Sequence, residues 1–277
     1  MEAVSPEGLR SVYACPDIDQ QQLVVHPQFY HESENKLTAT VLDGNKVVVT
    51  KSVRCANNDI LVLPIKKMKL WSPESPFLYK IIYKITDKEG KVIDEVRSYA
   101  GMRKVAVKNG FVELNNRPYY QRLVLDQGYY PDGEWTAPAD EALKEDIELG
   151  KAAGFNGART HQKTFEDRYF YWADKLGYFT YAEFPSWDLD VNDELAARNF
   201  VGEWSEVVES RRNHPSIAIW TPFNETWSCQ PGTYLRLVTD VYNMTKAIDP
   251  TRPINDASGD GHVVTDIWSV HNYERNP

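Results

Sequence analysis

At Asn109-Gly110 the hydrophobic period of the chain changes, and the change limits what each half can fold into. Before it, from Arg10 to about Val107, apolar and polar residues alternate in short runs rich in β-branched and aromatic side chains. These runs are RSVYAC, QLVVHP, KLTATVLD, KVVVTKSV, DILVLP, FLYKIIYKIT, KVIDEVRSY and MRKVAV. A period of two sends successive side chains to opposite faces of a strand, which suits a sheet with one buried face. Turn signals such as Asp43-Gly44-Asn45 and Lys88-Glu89-Gly90 separate the runs. Seven or eight such strands in about 100 residues predict an immunoglobulin-like β-sandwich over residues 1–107, with a small barrel as the alternative.

After Asn109-Gly110, strand-like runs alternate with helical ones. YQRLVL precedes ADEALKEDIELGKAAG, NGART precedes EDRYFYWADKLG, and YFTYAEF precedes DELAARNFVGEWSEVVESRRN. IAIWTPF precedes TYLRLVTDVYNMTKAID, and PINDAS and DIWSVHNY follow. In the first helical run Leu143, Ile147, Ala152 and Ala153 share a face, while Glu141, Lys144 and Glu145 face water. This alternation predicts βαβ units and a parallel sheet over residues 108–277, either an open doubly wound sheet or a TIM (β/α)8 barrel. Neither a GxGxxG fingerprint nor a GxSxG elbow is present, which removes support for dinucleotide-binding and α/β-hydrolase readings. A complete barrel takes about 250 residues, so the six runs predict barrel strands 1–6 only. Two open edges and an uncovered interior would then favour pairing with another copy, and a homo-oligomer is one expectation.

The formal net charge of −9 leaves no basic stripe for nucleic acid. Cys15, Cys55 and Cys229 lie far apart without CxxC spacing, so neither a disulfide framework nor a zinc cluster is suggested. The start MEAVSPEGLRS has no secretory pattern, and no run reaches the length of a membrane span. A cytoplasmic location without membrane association is the default expectation, and no cofactor is implied.

In α/β barrels the loops at the C-terminal ends of the strands converge on one mouth, where chemistry is done. Those ends carry Asp126 and Gln127, then Arg159, His161 and Gln162, then Glu183, then Asn224 and Glu225, then Asp256, and finally His271 and Asn272. A purely structural barrel has no need of a polar residue at every strand end. Plainer readings stand beside this one. Arg159 and Glu183 would pair with each other in either case, and His161 or His271 singly would serve as a hydrogen-bonded structural histidine. Asp256 would cap the turn before Gly259, and His214 lies at the opposite end of its strand. His161, Asp256 and His271 show no metal-binding spacing.

The most informative stretch is WTPFNETW, residues 220–227. An apolar strand needs no Asn-Glu pair to fold, and the next helix starts too far away for Asn224 to cap it. Burial of an uncompensated Glu225 would raise its pKa, which suits a general acid near neutral pH. Trp220 and Trp227 flank it with flat apolar surface of the kind that stacks on a sugar ring.

The run RRNHPSIAIWTPFNETW at 211–227, with GFNGARTH at 154–161 and WADKLGYFTYAEFP at 172–185, resembles glycoside hydrolase family 2, the group of β-galactosidases, β-glucuronidases and β-mannosidases. LWSPESPFLYKIIYKI at 70–85 and FVELNNRPYYQR at 111–122 are similar to the family's immunoglobulin-like domain and its junction to the barrel, and the DPTRPI run at 249–254 fits the same resemblance. The resemblance implies a retaining exo-β-glycosidase acting on terminal β-linked sugars, with two carboxylates about 5 to 5.5 Å apart. It puts the general acid/base on Glu225 and a bond to the sugar 2-hydroxyl on Asn224. Arg159 and Glu183 would orient the catalytic carboxylates, and Asp126, Gln127, His161, Gln162, Trp227 and His271 would face the carbohydrate.

Two departures bear on specificity. The family's Gly-Val-Asn-x-His run corresponds to LVLDQ, with Leu125 at the asparagine and Gln127 at the histidine position. Arg-Thr-Ser-His corresponds to RTHQ, with His161 at the serine and Gln162 at the histidine position. The resemblance also implies a nucleophilic glutamate on the seventh strand, a place that none of Asp256, Asp260, Asp266 and Glu274 fits. The expectation is therefore an internal piece of a longer enzyme, its first residues the remnant of a preceding sugar-binding domain and its nucleophile beyond Pro277. A non-catalytic module that binds carbohydrate or protein on the same fold is the competing reading.

Overall fold

The structure is a computed structural model and describes residues 4–226 and 231–275. The chain divides into two compact units, Met1–Lys104 and Val105–Pro277.

In the first unit, strands Lys46–Cys55, Ser33–Asp43, Tyr79–Thr86 and Val92–Ala100 form one antiparallel sheet in that order. Strands Leu9–Asp17, Gln22–Phe29 and Leu61–Pro64 form a second. The period-two pattern does the work: Leu37, Ala39 and Val41 from one strand and Ile81, Tyr83 and Ile85 from its neighbour all point inward. They meet Leu23, Val25, Leu61 and Leu63 of the other sheet in one apolar core. This is the sandwich predicted, with the two inner faces sharing a single hydrophobic layer.

The second unit opens with Val105–Lys108, Phe111–Leu114 and Arg117–Pro118, a three-stranded antiparallel sheet. Its two-residue turns, Asn109-Gly110 and Asn115-Asn116, all have positive φ, between 52° and 80°. That geometry matches the twist of paired strands, which is why asparagine and glycine occupy it.

Parallel strands follow. Leu123–Asp126, Gly157–Thr160, Phe179–Glu183 and Ile217–Thr221 pair in sequence order. Phe223–Asn224 then pairs with Ala257–Ser258, and a bridge joins Trp220 to Ile254. Each strand lies beside its predecessor with no reversal of order, the winding of a barrel rather than of a doubly wound sheet. Helices α1 (Asp140–Ala152), α2 (Asp167–Leu176), α3 (Glu194–Arg211) and α4 (Pro231–Ile248) connect them. Asp193 caps α3 by accepting from the N–H groups of Leu195 and Ala196. Lys151 near the end of α1 donates to the carbonyls of Leu176 and Gly177, so one cation satisfies the orphan end of α2.

The sixth predicted strand forms no ladder. Residues 266–273 run on from the fifth strand and are held by single bonds: Asp266 donates its N–H to the Ile254 carbonyl and accepts from Ile254 N–H on its carboxylate, and Ser269 Oγ accepts from Gly259 N–H. Trp268, Val270 and Tyr273 stay exposed. The apolar residues that suggested a strand here are therefore not packed as one.

Beneath the C-terminal strand ends lies an aromatic floor. Phe200 of α3 stacks on Phe223 at 4.7 Å, and Trp204 meets Trp220 edge to face at 5.7 Å. All four are buried. Trp220 also donates its indole N–H to Asp249, and Trp204 to Thr245. The strand that ends in Asn224 and Glu225 is thus fixed by large rings with both polar handles satisfied.

Candidate active site

Arg159, at the end of the second parallel strand, is the hub of the site. Its guanidinium grips the Glu183 carboxylate bidentately, Nε to Oε2 at 2.7 Å and Nη2 to Oε1 at 3.2 Å. Nη2 also donates to Asn224 Oδ1, and Nη1 lies 3.2 Å from His271 Nε2. A guanidinium has donors only, so His271 Nε2 must be the acceptor and Nδ1 must carry the proton. That proton points at Glu225 Oε1, 2.6 Å away. The Tyr273 hydroxyl donates to the same oxygen. The chain of bonds therefore runs from Glu183 through Arg159 and His271 to Glu225, which it supplies with donors alone.

This geometry corrects the expectation for Glu225. Partial burial does push its pKa up, as the sequence suggested, but the bonds from Tyr273 and His271 and the charge of Arg159 outweigh it. The net direction is downward, and the carboxylate is favoured. Glu225 also sits at φ 51°, as Gln162 does at 53°. Both side chains need a bulky residue in the left-handed region, a strain that persists where a surrounding network fixes it.

Glu183 is only 1% exposed. Burial raises its pKa, opposed by Arg159 and by the Gln162 N–H, which donates at 3.0 Å. Gln162 is equally committed, its Oε1 accepting from the N–H groups of Ser186 and Trp187 and its Nε2 donating to Ser186 Oγ. Ser186 Oγ in turn accepts from Asn224 N–H at 3.1 Å. Asn224 Nδ2 reaches His161 Nε2 at 3.4 Å, and Gln127 lies 2.8 Å from His161 Nδ1. Burial first, then the Arg159 charge, pulls the His161 pKa down to about 4.

Arg159, Glu183, Gln162, Asn224, His161, Gln127, His271 and Glu225 are brought together. Asp126 is not: its carboxylate turns back to accept from Gly128 N–H at 2.9 Å and contacts the Tyr169 hydroxyl at 3.4 Å. It holds the loop instead of facing outward, because the left-handed Gly128 folds the chain over it. Trp227 lies outside the described residues. Asp256 accepts from the N–H groups of Ala257, Val263 and Val264 and pairs with His262, a buried structural knot. His214 pairs with Asp174 at the opposite end of its strand. Among the described residues no group of three or more His, Cys, Asp and Glu is placed to hold a metal ion.

Sequence reasoning passed over Tyr129, Trp135, Ser186, Trp187 and Tyr273. The first four stand within the loops directly after the first and third strands, in YYPDGEW and PSW. Aromatic residues just beyond a barrel strand were the available signal. Lys163 has no such signal: it is buried, and donates to the carbonyls of Gly128 and Trp135.

The two units together define an immunoglobulin-like sandwich followed by the opening part of a TIM barrel, with an arginine–carboxylate network at its C-terminal rim. Residues 9–103 match the family model described as "Glycosyl hydrolases family 2", and residues 105–275 that described as "Glycosyl hydrolases family 2, TIM barrel domain". The chain belongs to glycosyl hydrolases family 2. It is 27% identical to a β-galactosidase of Pseudoalteromonas haloplanktis over 94% of its own length and 27% of that protein's. A β-galactosidase of Psychromonas ingrahamii is 33% identical over 71% of this chain and 19% of the relative. The chain thus spans about a quarter of the length of the curated relatives it matches. Among solved structures, a β-glucuronidase from Ruminococcus gnavus in complex with D-glucuronic acid superposes with a TM-score of 0.78 at 22% identity, over 90% of this chain and 42% of that one. A family 2 member from Bacteroides cellulosilyticus gives 0.74 at 23% identity, over 92% and 37%. Among the described residues no helix is long and apolar enough to cross a membrane.

Proposed function

We propose that this chain carries the acid/base half of a retaining β-glycosidase site. Glu225 protonates the departing glycosidic oxygen and then deprotonates the attacking water, while Asn224 holds the sugar 2-hydroxyl. Arg159 and Glu183 fix both residues without reacting. The observation that carries this reading is the single hydrogen-bonded line from Glu183 through Arg159 and His271 to Glu225, with Asn224 on the same guanidinium. Such a line gives a carboxylate one defined position, and positioning is a large part of what catalysis needs.

The nucleophile of this proposal is a second carboxylate about 5 to 5.5 Å from Glu225, contributed by chain beyond Pro277. It also answers the lowered pKa. A like charge at that distance and a sugar that excludes water both favour the protonated form, so the acid is generated in the complex. The expected consequence is that residues 1–277 alone turn over aryl β-glycosides negligibly, and robust turnover would refute the placement of the nucleophile. In the longer protein, Glu225→Gln should lower kcat/KM by about 10²- to 10⁴-fold on alkyl glycosides, whose leaving groups need a proton. Nitrophenyl glycosides should lose much less, and equal losses on both would sink the acid/base role.

A non-catalytic carbohydrate-binding module remains the second reading, favoured by the donors that hold Glu225 ionised. It predicts that Glu225→Ala costs only part of the sugar affinity and that no turnover is found in any length of the protein.

A further inference from the structure

Residues 266–273 carry both side chains that donate to Glu225, yet no strand ladder holds them. Their position must come from other contacts. At the near end α4 grips Asp266: the Tyr242 hydroxyl donates to one carboxylate oxygen at 2.9 Å, and Lys246 Nζ lies 2.6 Å from the other. A second anchor lies closer to His271, and His262 supplies it.

The His262 side chain is only 1% exposed and stands between a carboxylate and a peptide. Its Nδ1 lies 2.6 Å from Asp256 Oδ1. Both Asp256 oxygens already accept from the N–H groups of Ala257, Val263 and Val264, so Nδ1 is the donor. Nε2 faces the backbone of Ser269, 2.7 Å from its carbonyl oxygen and 3.1 Å from its nitrogen. With a proton Nε2 donates to the carbonyl, and without one it accepts from the N–H. In either state the ring holds the same residue.

Ser269 precedes His271 by two residues and Tyr273 by four. Asp256, for its part, adjoins the strand Ala257–Ser258, and the Ser258 carbonyl accepts from Glu225 N–H at 2.9 Å. One buried pair thus ties the backbone that carries Glu225 to the backbone that carries its two donors. The His271 ring is seated from the same side. Ser258 Oγ lies 3.0 Å from His271 Nε2, and a side chain on Gly259, at φ 94°, would bring a carbon to 3.0 Å from Nδ1. The bond from His271 to Glu225 spans 2.6 Å. Hydrogen bonds are lost by about 3.5 Å, so a displacement of about 1 Å at His271 breaks it.

We propose that Asp256 and His262 are a positioning pair for Glu225: by holding Ser269 they set where His271 and Tyr273 meet the acid/base carboxylate. The catalytic consequence rests on the glycosidase reading, whereas the placement of the two donors does not.

Two variants separate this role from simple stabilisation of the loop. In His262→Asn the amide nitrogen takes the place of Nδ1 and keeps the Asp256 contact, while the contact to Ser269 is lost. In His262→Gln the longer amide reaches Ser269 with a donor and an acceptor, and the Asp256 contact is lost. Carboxyl carbon NMR titration of the full chain should find the Glu225 midpoint raised in His262→Asn and near wild type in His262→Gln, because burial raises it and the donors that outweigh burial have moved away only in the first. Urea unfolding should rank the two the other way, with His262→Gln the less stable, since buried Asp256 loses a partner there. A wild-type midpoint in His262→Asn, or equal midpoints in the two variants, would overturn the proposal. Should His262→Asn not fold, Trp268→Ala takes its place: that ring is 73% exposed and lies 4.7 Å from the imidazole, so its loss loosens His262 and spares the core. The same rise is expected, and an unmoved midpoint overturns the proposal equally. In the longer protein, His262→Asn should lower kcat on alkyl β-glycosides by about 10- to 100-fold with KM little changed. A raised midpoint without turnover in any length of the protein supports the positioning pair and sinks the acid/base reading. Undiminished turnover with an unmoved midpoint sinks the pair and leaves catalysis standing.

Discussion

Replacing Arg159 by methionine removes the guanidinium while keeping a long apolar stem, and the structure says what is left behind. Glu183, 1% exposed, loses its bidentate partner and keeps only the Gln162 N–H and the weaker Gln162 Nε2 contact. Breaking a buried ion pair from one side costs about 3–5 kcal/mol, because the remaining charge stays desolvated. For a unit of this size that is a fall in Tm of roughly 6–20 °C. The deficit must depend on pH in a defined sense. Burial already holds the Glu183 pKa up, and Arg159 is the main group opposing it. Without Arg159 the folded-state value rises further above the unfolded one of about 4.3. A raised carboxyl pKa means the folded state binds the proton more tightly, so stability is lost as pH climbs from the unfolded value to the folded one. The gap between Arg159→Met and wild type should therefore be widest near pH 7 and narrow toward pH 4. Urea unfolding followed by tryptophan fluorescence reads the second unit, since of the 8 tryptophans only Trp71 lies before residue 105. Adding Glu183→Gln, which removes the charge and keeps an acceptor for Gln162, should recover most of the loss. A single-variant deficit below about 1 kcal/mol at pH 7, or no recovery in the double variant, would refute the account of Arg159 as the counter-ion of a buried carboxylate.

Two further outcomes follow from named contacts. Tyr273→Phe removes a donor from Glu225 Oε1, so the Glu225 pKa should rise; its depressed folded value gives stability that is present above the unfolded pKa and lost as pH falls through the folded one, and the variant should show less of it. Carboxyl carbon NMR titration reads the midpoint directly, and an unmoved midpoint would remove Tyr273 from the network. Gly157→Ala would set a methyl carbon 2.1 Å from the Phe179 carbonyl oxygen and 2.6 Å from a Leu123 methyl, both on neighbouring strands. Thermal unfolding should show a loss of about 1–3 kcal/mol or more, and a loss within about 0.5 kcal/mol would mean that the strand spacing there is wrong.

The sequence alone determined the order of the layers. A period of two up to residue 107 and alternating strand and helix patterns after it leave few architectures, because each period can bury its apolar residues in only one way. It also determined which side chains reach the barrel mouth, since parallel strands carry all their C-terminal ends to one rim. Arg159, Glu183, Asn224 and Glu225 were legible for that reason. The same logic failed at 266–273, where apolar residues at strand-like spacing form no ladder and Trp268 and Tyr273 stay exposed.

What the tertiary structure alone decided is the electrostatic state of the site. Glu225 has its pKa lowered and not raised because His271, 46 positions away, and Tyr273, 48 positions away, both aim donors at one oxygen. The proton is on His271 Nδ1 because Arg159, 112 positions off, occupies the other nitrogen with a donor. Asp126 is spent on Gly128 and Tyr169, and Gln162 on Ser186 and Trp187, so neither faces a ligand freely. Hydrophobic period is a local property and survives in the one-dimensional string. The direction of a hydrogen bond between residues far apart in the chain does not, and the charge on Glu225 is set by those directions.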